Sequence, residues 1–288
     1  GLAGVFLRGV EPLGVVIPAN VEDACRAIEW CFRESVVMLP RGGGTSLAGQ
    51  CTNRAVVIDF SPGCRGVRDL DVAGQTVYVE PGVTIDELND QVSSSGLFFA
   101  PDPATSKHAN IGGCIGNNAA GARSIRYLRT SENVLGVDVC LVDGRRVRLE
   151  RGAAARNASV RELTTRVLGV IARNAPDIRA RFPKTLRRSA GYQLDVILKQ
   201  VDEAAPGWID GWASAGCAGE VPQAVLEAVN LSHLLCGSEG TLAFTLGATL
   251  KLHPRPKSKA LATLGFASLD EAIAATVPIL ATNPTAVE

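Results

Sequence analysis

The chain has 288 residues, 46% of them hydrophobic and 20% charged, and its 29 Lys+Arg balance its 29 Asp+Glu to a formal net charge of zero. That is ordinary globular composition, enough for one large or two medium domains. The charge balance excludes the basic excess of a nucleic-acid or polyanion binder, and no apolar run reaches the length of a membrane span.

The opening Gly1–Leu7 is too short and wrongly flanked for a signal peptide. Because the first residue is Gly rather than Met, a trimmed piece of a longer chain is expected. The eight cysteines, at 25, 31, 51, 64, 114, 140, 217 and 236, include no Cys-x-x-Cys. Zinc-ribbon and iron–sulfur spacings are therefore missing. Reduced, mostly buried thiols are expected, in a protein that is cytoplasmic or peripheral to a membrane.

In chain order, Gly14–Ile17 reads as a short strand ended by Pro18. Asn20 can cap a helix whose apolar Val21, Ala24, Cys25, Ile28 and Phe32 recur at helical spacing. Val36–Leu39, Ala55–Ile58 and Thr76–Val79 follow as strands, and Thr84–Glu87 is a capping box opening a helix that Gly96 stops. Val137–Val142 and Arg145–Glu150 form a strand pair around the Asp143-Gly144 turn signal. Ser159–Glu162 is read as a second capping box, and Asp202–Pro222 as an irregular insertion. Thr241–Leu252 is an apolar strand or hairpin. After His253–Pro256 the pattern predicts a new strand, Ala260–Phe266, and a helix opened by the box Ser268–Glu271. One strand and one helix cannot bury both their faces, which places a domain boundary near Pro256.

Three segments carry chemistry. The first, Pro40-Arg41-Gly42-Gly43-Gly44-Thr45-Ser46 through Gly49, directly follows a predicted strand. Three glycines allow positive φ and let backbone N–H groups turn toward an oxyanion, while Thr45, Ser46 and Arg41 add donors and charge. No Gly-Lys-Ser/Thr follows, so this is not a Walker loop. On that basis Gly43→Val is expected to weaken ligand binding with little loss of fold.

The second segment runs from Pro101 and Pro103 through Thr105 and Ser106 to Ile111-Gly112-Gly113 and on to Asn117, Ala119, Ala120 and Gly121. Small residues and amides again let backbone approach a ligand. Two such loops, well separated along the chain, suit a long ligand with a diphosphate in its middle. In the third segment, Gly237–Thr241, Glu239 lies between glycines in an apolar stretch, where it either caps a helix or faces a ligand. His108, beside the second loop, is expected at the surface or in a structural role, and His233 and His253 are read as structural. No metal spacing links the three.

Taken in order, Arg41–Thr45, Ile111–Gly113 with Asn117–Gly121, Val134–Gly144, Ser189–Leu194 and Gly237–Thr241 resemble the FAD-binding domain of the vanillyl-alcohol-oxidase, or PCMH, superfamily. Within it they are most similar to the D-lactate, glycolate and D-2-hydroxyglutarate dehydrogenase branch. The resemblance implies an α+β PCMH-type fold over residues 1–256. It comprises two α+β subdomains, about 1–80 and about 81–256, with FAD between them, and 257–288 begins a truncated cap domain. It also implies FAD contacts at the loop positions above and at Val137 and Glu239.

Two departures stand out. Covalent members often carry a His in or after the glycine loop, where this chain has Thr45 and Ser46, so FAD is expected to be non-covalent. Many members have Arg-Tyr-Gly where this chain has Arg126-Tyr127-Leu128. The activity implied is oxidation of a small 2-hydroxy acid to the 2-oxo acid. A base takes the hydroxyl proton while hydride passes to flavin N5. The electrons then go to a quinone, a cytochrome, an electron-transfer flavoprotein or an iron–sulfur domain. In such relatives the catalytic His, the substrate-carboxylate contacts and any metal come mainly from the cap and a His-Gly-Asp segment. Neither is in this chain, so no catalytic residue and no metal ligand is named. The alternatives are a non-catalytic FAD-binding subunit and a same-fold flavin reductase using a nicotinamide cofactor.

Overall fold

The computed structural model of the chain describes residues 10–185 and 188–288; the opening Gly1–Leu7 lies outside them. The first apolar run forms β1 (Gly14–Val16). Asn20 caps α1 (Val21–Arg33), its side chain accepting from the Asp23 N–H at 2.9 Å. β2 (Met38–Arg41) starts two residues later than the apolar run suggests and carries Pro40 and Arg41. With β3 (Val56–Asp59) it completes a parallel sheet of order β1-β3-β2. Pro40 is tolerated because β2 is an edge strand with one side free of ladder bonds. The glycine loop therefore leaves the carboxyl end of a parallel strand, where open α/β sheets place ligands.

β4 (Val67–Asp71) and β5 (Thr76–Val79) do not join this sheet. They pair antiparallel with each other and open a second sheet. They do so although they precede residue 80. Local pattern marks a hairpin but not the sheet it will extend. Thr84 caps α2 (Ile85–Gln91) with both bonds of the predicted box. Gly96, at φ 73°, then turns the chain into β6 (Leu97–Phe98). Two short helices follow, α3 (Ile111–Gly116) and α4 (Ser124–Tyr127). β7 (Val134–Cys140) and β8 (Arg146–Glu150) form the predicted hairpin, with Gly144 at φ 83° in its turn.

Downstream of α5 (Ala153–Arg156), the long α6 (Ala158–Arg181) is capped by Asn157, which accepts from Ser159 N and Val160 N, and not by the box expected at Ser159. Asn is as strong a cap as Ser and comes first, which leaves Ser159 inside the helix. The stretch expected to be irregular contains the end of α7 (Leu194–Ala204) and all of α8 (Trp208–Ser214). Trp208 and Trp212, one turn apart, stack at 5.1 Å, and Ile209 and Trp212 are buried. Gly and Ala around them dilute a helical stripe that tertiary packing restores. α9 (Gln223–Ala228) and α10 (Ser232–Leu235) lead into β9 (Phe244–Lys251), a single strand at the centre of the second sheet. That sheet has order β4-β5-β9-β7-β8, and β10 (His253–Pro254) pairs with β6. α11 (Leu269–Ala281) is capped by Ser268, while Glu271 reaches back to Ala267 N instead of closing the predicted box. The expected strand Ala260–Phe266 does not form. No described strand lies beside it, and a lone extended segment leaves its N–H and C=O groups to water.

Two cores hold the sheets. The larger packs α2, α3 and α6 to α10 on the second sheet. The smaller gathers Cys25 and Ile28 of α1, Ile58 of β3, Cys140 of β7 and Leu246 of β9. It clasps the first sheet to the end of the second.

Leu128, where relatives were expected to have Gly, sits at φ 61°, ψ −153°. This region is almost reserved for glycine, and a side chain there costs about 1–3 kcal/mol. The neighbours impose it. Asn133 Nδ2 donates to the carbonyls of both Tyr127 and Arg129, and His253 Nε2 donates to Asn133 Oδ1 at 2.7 Å. The Leu128 side chain is 39% exposed, so little burial offsets the strain. Leu128→Gly is expected to raise stability by about 1 kcal/mol net of the glycine entropy cost. Urea midpoints check this: an unchanged or lower midpoint would mean that the loop relaxes around the leucine.

Candidate functional site

A cleft opens where the first sheet, α3 and the Gly237–Thr241 turn meet. It is built from the first loop upward. Gly44 has φ 65°, and the Arg41 guanidinium folds over it. Gly43 does not need positive φ. A Cβ there would meet the His108 carbonyl oxygen at 1.9 Å, and one on Gly42 would lie 3.1 Å from Asn110 Oδ1. The glycines are thus required because the second loop packs on the first. The ion pairs among the described residues do not include Arg41, so its charge faces the cleft without a carboxylate partner.

The second loop is tied by backbone bonds from His108 N and Ala109 N to the Thr105 carbonyl and from Ile111 N to the Val83 carbonyl. α3 then runs along the cleft floor. Gly112 is pressed on Pro81, but a Cβ on Gly113 would meet nothing within 4 Å. The Gly237–Thr241 turn lies over the end of α3. Gly237 N donates to the Ile115 carbonyl and Glu239 N to the Gly116 carbonyl. The Glu239 backbone N–H thus caps the end of α3, and its side chain borders the cleft, 3.5 Å from Gln50 Nε2. Glu239 itself has φ 50°, between Gly237 and Gly240 at φ 95° and 78°. Ser189–Leu194 supports the turn from behind. The Ser189 and Gly191 carbonyls face Gly237, and Gln193 Nε2 donates to the His233 and Cys236 carbonyls.

Of the positions singled out in the sequence, Pro40, Arg41, Gly42, Gly43, Gly44, Thr45 and Ser46 line the cleft. So do Pro103, Thr105, Gly112, Gly113, Asn117, Ala119 and Glu239. Gly49, Pro101, Ser106, Ile111, Ala120, Gly121 and Val137 do not. Ile111 and Val137 are in the core, and Gly121 is closed against the Asp102 carbonyl. These are small or apolar because protein packs on them. Lining residues that the sequence did not reveal include Phe60, Pro81, Asn110, Cys114, Ile115 and Ser238. Asn110 carried a signal of its own, an amide immediately before Ile-Gly-Gly.

No histidine lines the cleft. His233 Nδ1 accepts from Gln200, and burial pushes its pKa down. His253 donates to Asn133, and burial, then Lys251, lowers its pKa too. Both are neutral structural groups, as expected from the sequence. Burial pushes the Cys114 thiol up to about 12, so it is no thiolate nucleophile. Among the described residues no cluster of His, Cys, Asp and Glu is placed to hold a metal.

Residues 12–150 match the family of the FAD binding domain. This part of the chain is an FAD binding domain. D-2-hydroxyglutarate dehydrogenase of Pantoea ananatis is 30% identical over 273 residues, which are 91% of this chain and 24% of that protein. The mitochondrial D-lactate dehydrogenase [cytochrome] of Kluyveromyces lactis is 26% identical, over 91% of this chain and 34% of its own. Glycolate oxidase subunit GlcD of Bacillus subtilis is 31% identical over 55% of this chain. The chain thus spans about a quarter to a third of the length of these relatives. The fold matches that of alkyldihydroxyacetonephosphate synthase, a PCMH-type protein, with a TM-score of 0.60 over 94% of this chain and 38% of that one, at 18% identity.

The residues of the cleft fit the group. Apolar Phe60 and Ile115, with Leu235 from beyond the matched segment, join a few polar groups, the usual make-up of a cofactor site. Two buried acceptors, Asn110 Oδ1 and Asn117 Oδ1, have no protein partner, and a Cβ on Gly113 would point into open space.

Proposed function

We propose that the cleft holds FAD non-covalently and that the chain is the flavin-holding part of a dehydrogenase acting on a 2-hydroxy acid of the D-2-hydroxyglutarate, D-lactate or glycolate kind. The observation that carries this is the convergence of three sequence-distant segments, at residues 40–46, 103–119 and 238–240, on one cleft with partnerless acceptors. Bound FAD supplies a two-electron acceptor beside which a hydroxy acid can be oxidised. This chain's share is to bind and orient it. The Gly42–Gly44 loop with Arg41, Thr45 and Ser46 would take the diphosphate, and Thr105, Asn117 and Glu239 would flank the remainder.

The same reading assigns 257–288 to the start of a substrate-side domain. α11 leaves Leu269, Ile273 and Val277 exposed, an apolar stripe with no described element against it. No helix of the described residues is long and apolar enough to cross a membrane. The electron acceptor would be a separate partner or domain, of the quinone, cytochrome, electron-transfer flavoprotein or iron–sulfur class.

The test is titration of the flavin-free protein. FAD is expected to bind at least about 100-fold more tightly than FMN, or ~2.7 kcal/mol, because the two glycine-rich loops that meet in the cleft suit a dinucleotide diphosphate. Boiling is expected to release all of the flavin, since none of His108, His233 and His253 lines the cleft. Equal affinities would remove the dinucleotide assignment. Colour retained on the precipitate would show a covalent link.

A further inference from the structure

Glu239 is the one carboxylate among the described residues that line the cleft, and it is exposed there. It sits at φ 50°, in the left-handed region that Gly237 and Gly240 on either side also occupy. A side chain in that region costs energy that a third glycine would not, and such an outlier at a cleft points to a use for the side chain. The turn also touches the first loop: a Cβ on Gly240 would lie 2.7 Å from Pro40 Cγ. The carboxylate therefore stands beside the loop assigned to the diphosphate. Gln50, which follows that loop, steadies it. Gln50 Oε1 accepts from Ala48 N at 3.2 Å, which leaves Nε2 to donate to Glu239 Oε1 at 3.5 Å. Among the described residues no other group donates to the Glu239 side chain.

We infer that Glu239, steadied by Gln50, is a specificity-determining residue whose carboxylate accepts hydrogen bonds from the 2′- and 3′-hydroxyls of the FAD adenosine ribose. This inference rests on the assignment of the cleft to FAD and of the first loop to its diphosphate. A carboxylate repels phosphate oxygens and can take nothing from the flavin carbonyls, so a donor must face it. The donors nearest the diphosphate along FAD are sugar hydroxyls; the flavin N–H and the adenine amine lie farther out. The ribose ring fixes two hydroxyls side by side, a match for the two oxygens of one carboxylate, whereas the ribityl hydroxyls sit on an open chain. Dinucleotide sites of another fold set an acidic side chain on a ribose hydroxyl in the same way. The cleft thereby gains a direction. Arg41 and the backbone donors of the glycine loop take the phosphates, and Glu239 admits beside them only a sugar with free hydroxyls.

The experiment titrates FAD, its 2′-deoxyadenosine analogue and FMN into flavin-free wild type, Glu239→Gln, Glu239→Gly and Gln50→Ala, with thermal unfolding of each protein. Wild type is expected to bind FAD at least about 10-fold more tightly than the deoxy analogue, the loss of one hydrogen bond to a charged group. Both Glu239 variants should bring that ratio to within about threefold, and Gln50→Ala should lower it part of the way. FMN has no ribose and should bind all of these proteins alike. Glu239→Gly relieves the left-handed backbone, so its flavin-free melting temperature should not fall, which separates lost recognition from lost fold. A wild-type ratio near one overturns the inference, and so does a ratio that survives in both Glu239 variants. Loss of FMN affinity as large as the loss for FAD overturns it too, because the carboxylate would then face the ribityl chain or act only on the fold. A wild-type chain that takes up no FAD overturns the cofactor assignment itself, and this inference with it. FAD bound without regard to its 2′-hydroxyl overturns this inference alone.

Discussion

Gly113→Val is expected to lower FAD affinity by at least about 100-fold while leaving the flavin-free protein as stable as wild type. Gly113 lies on the cleft side of α3, is exposed, and has no protein atom within 4 Å of the place its Cβ would take. Valine is a better helix residue than glycine by a few tenths of a kcal/mol, so the local effect on α3 is neutral or favourable. The added branches fill space that a ligand would occupy. Gly43→Val is the instructive contrast. Its Cβ would collide with the backbone oxygen of His108, so the two loops must part. A lower melting temperature is expected to accompany its loss of binding. Isothermal titration and thermal unfolding of both variants check the pair. Tight FAD binding by Gly113→Val would place the cofactor away from α3 and remove this cleft as its site.

The difference between Gly43 and Gly113 shows what was legible in the sequence. Local signals carried the pieces: the Asn20 and Thr84 caps, the turn at Gly144, and the three small-residue segments that converge on the cleft all follow from spacing and residue type. Whether a given glycine faces ligand or protein is a tertiary fact. Gly121 and Gly112 read like Gly113, yet one closes on Asp102 and the other on Pro81. Strand pairing is non-local in the same way, which is why β4 and β5 joined the second sheet although they precede residue 80. Asn110, just before Ile-Gly-Gly, lines the cleft as well, and its side chain makes no cap bond to α3.

Flavin bound to this 288-residue chain is expected to be bleached by dithionite but not, within minutes, by D-2-hydroxyglutarate, D-lactate or glycolate. The argument lies in the groups around the cleft. Oxidising a hydroxy acid requires its hydroxyl proton to be taken and its carboxylate to be held. General-base help is worth about 10²–10⁴-fold, and fixed positioning ~7–11 kcal/mol in the best cases. Among the described lining residues the ionisable side chains are those of Arg41, Cys51, Cys114 and Glu239. Cys114 is held as a neutral thiol by its burial. Arg41 is folded over Gly44, on the loop assigned to the diphosphate. Among the described residues no second cationic side chain lines the cleft to grip a substrate carboxylate, and His233 and His253 are already engaged by Gln200 and Asn133. Glu239 remains as the one carboxylate among the described lining residues, 3.5 Å from Gln50 Nε2. Turnover should therefore lie at least about 10³-fold below that of a longer protein that adds a base and a carboxylate clamp. Dithionite needs neither and should still reduce the flavin. Stopped-flow bleaching with each acid in turn decides the matter. Rapid bleaching by any of them would mean that the residues described here already complete a substrate site, with Glu239 as the base. Glu239→Gln should then abolish the bleaching while leaving dithionite reduction unchanged.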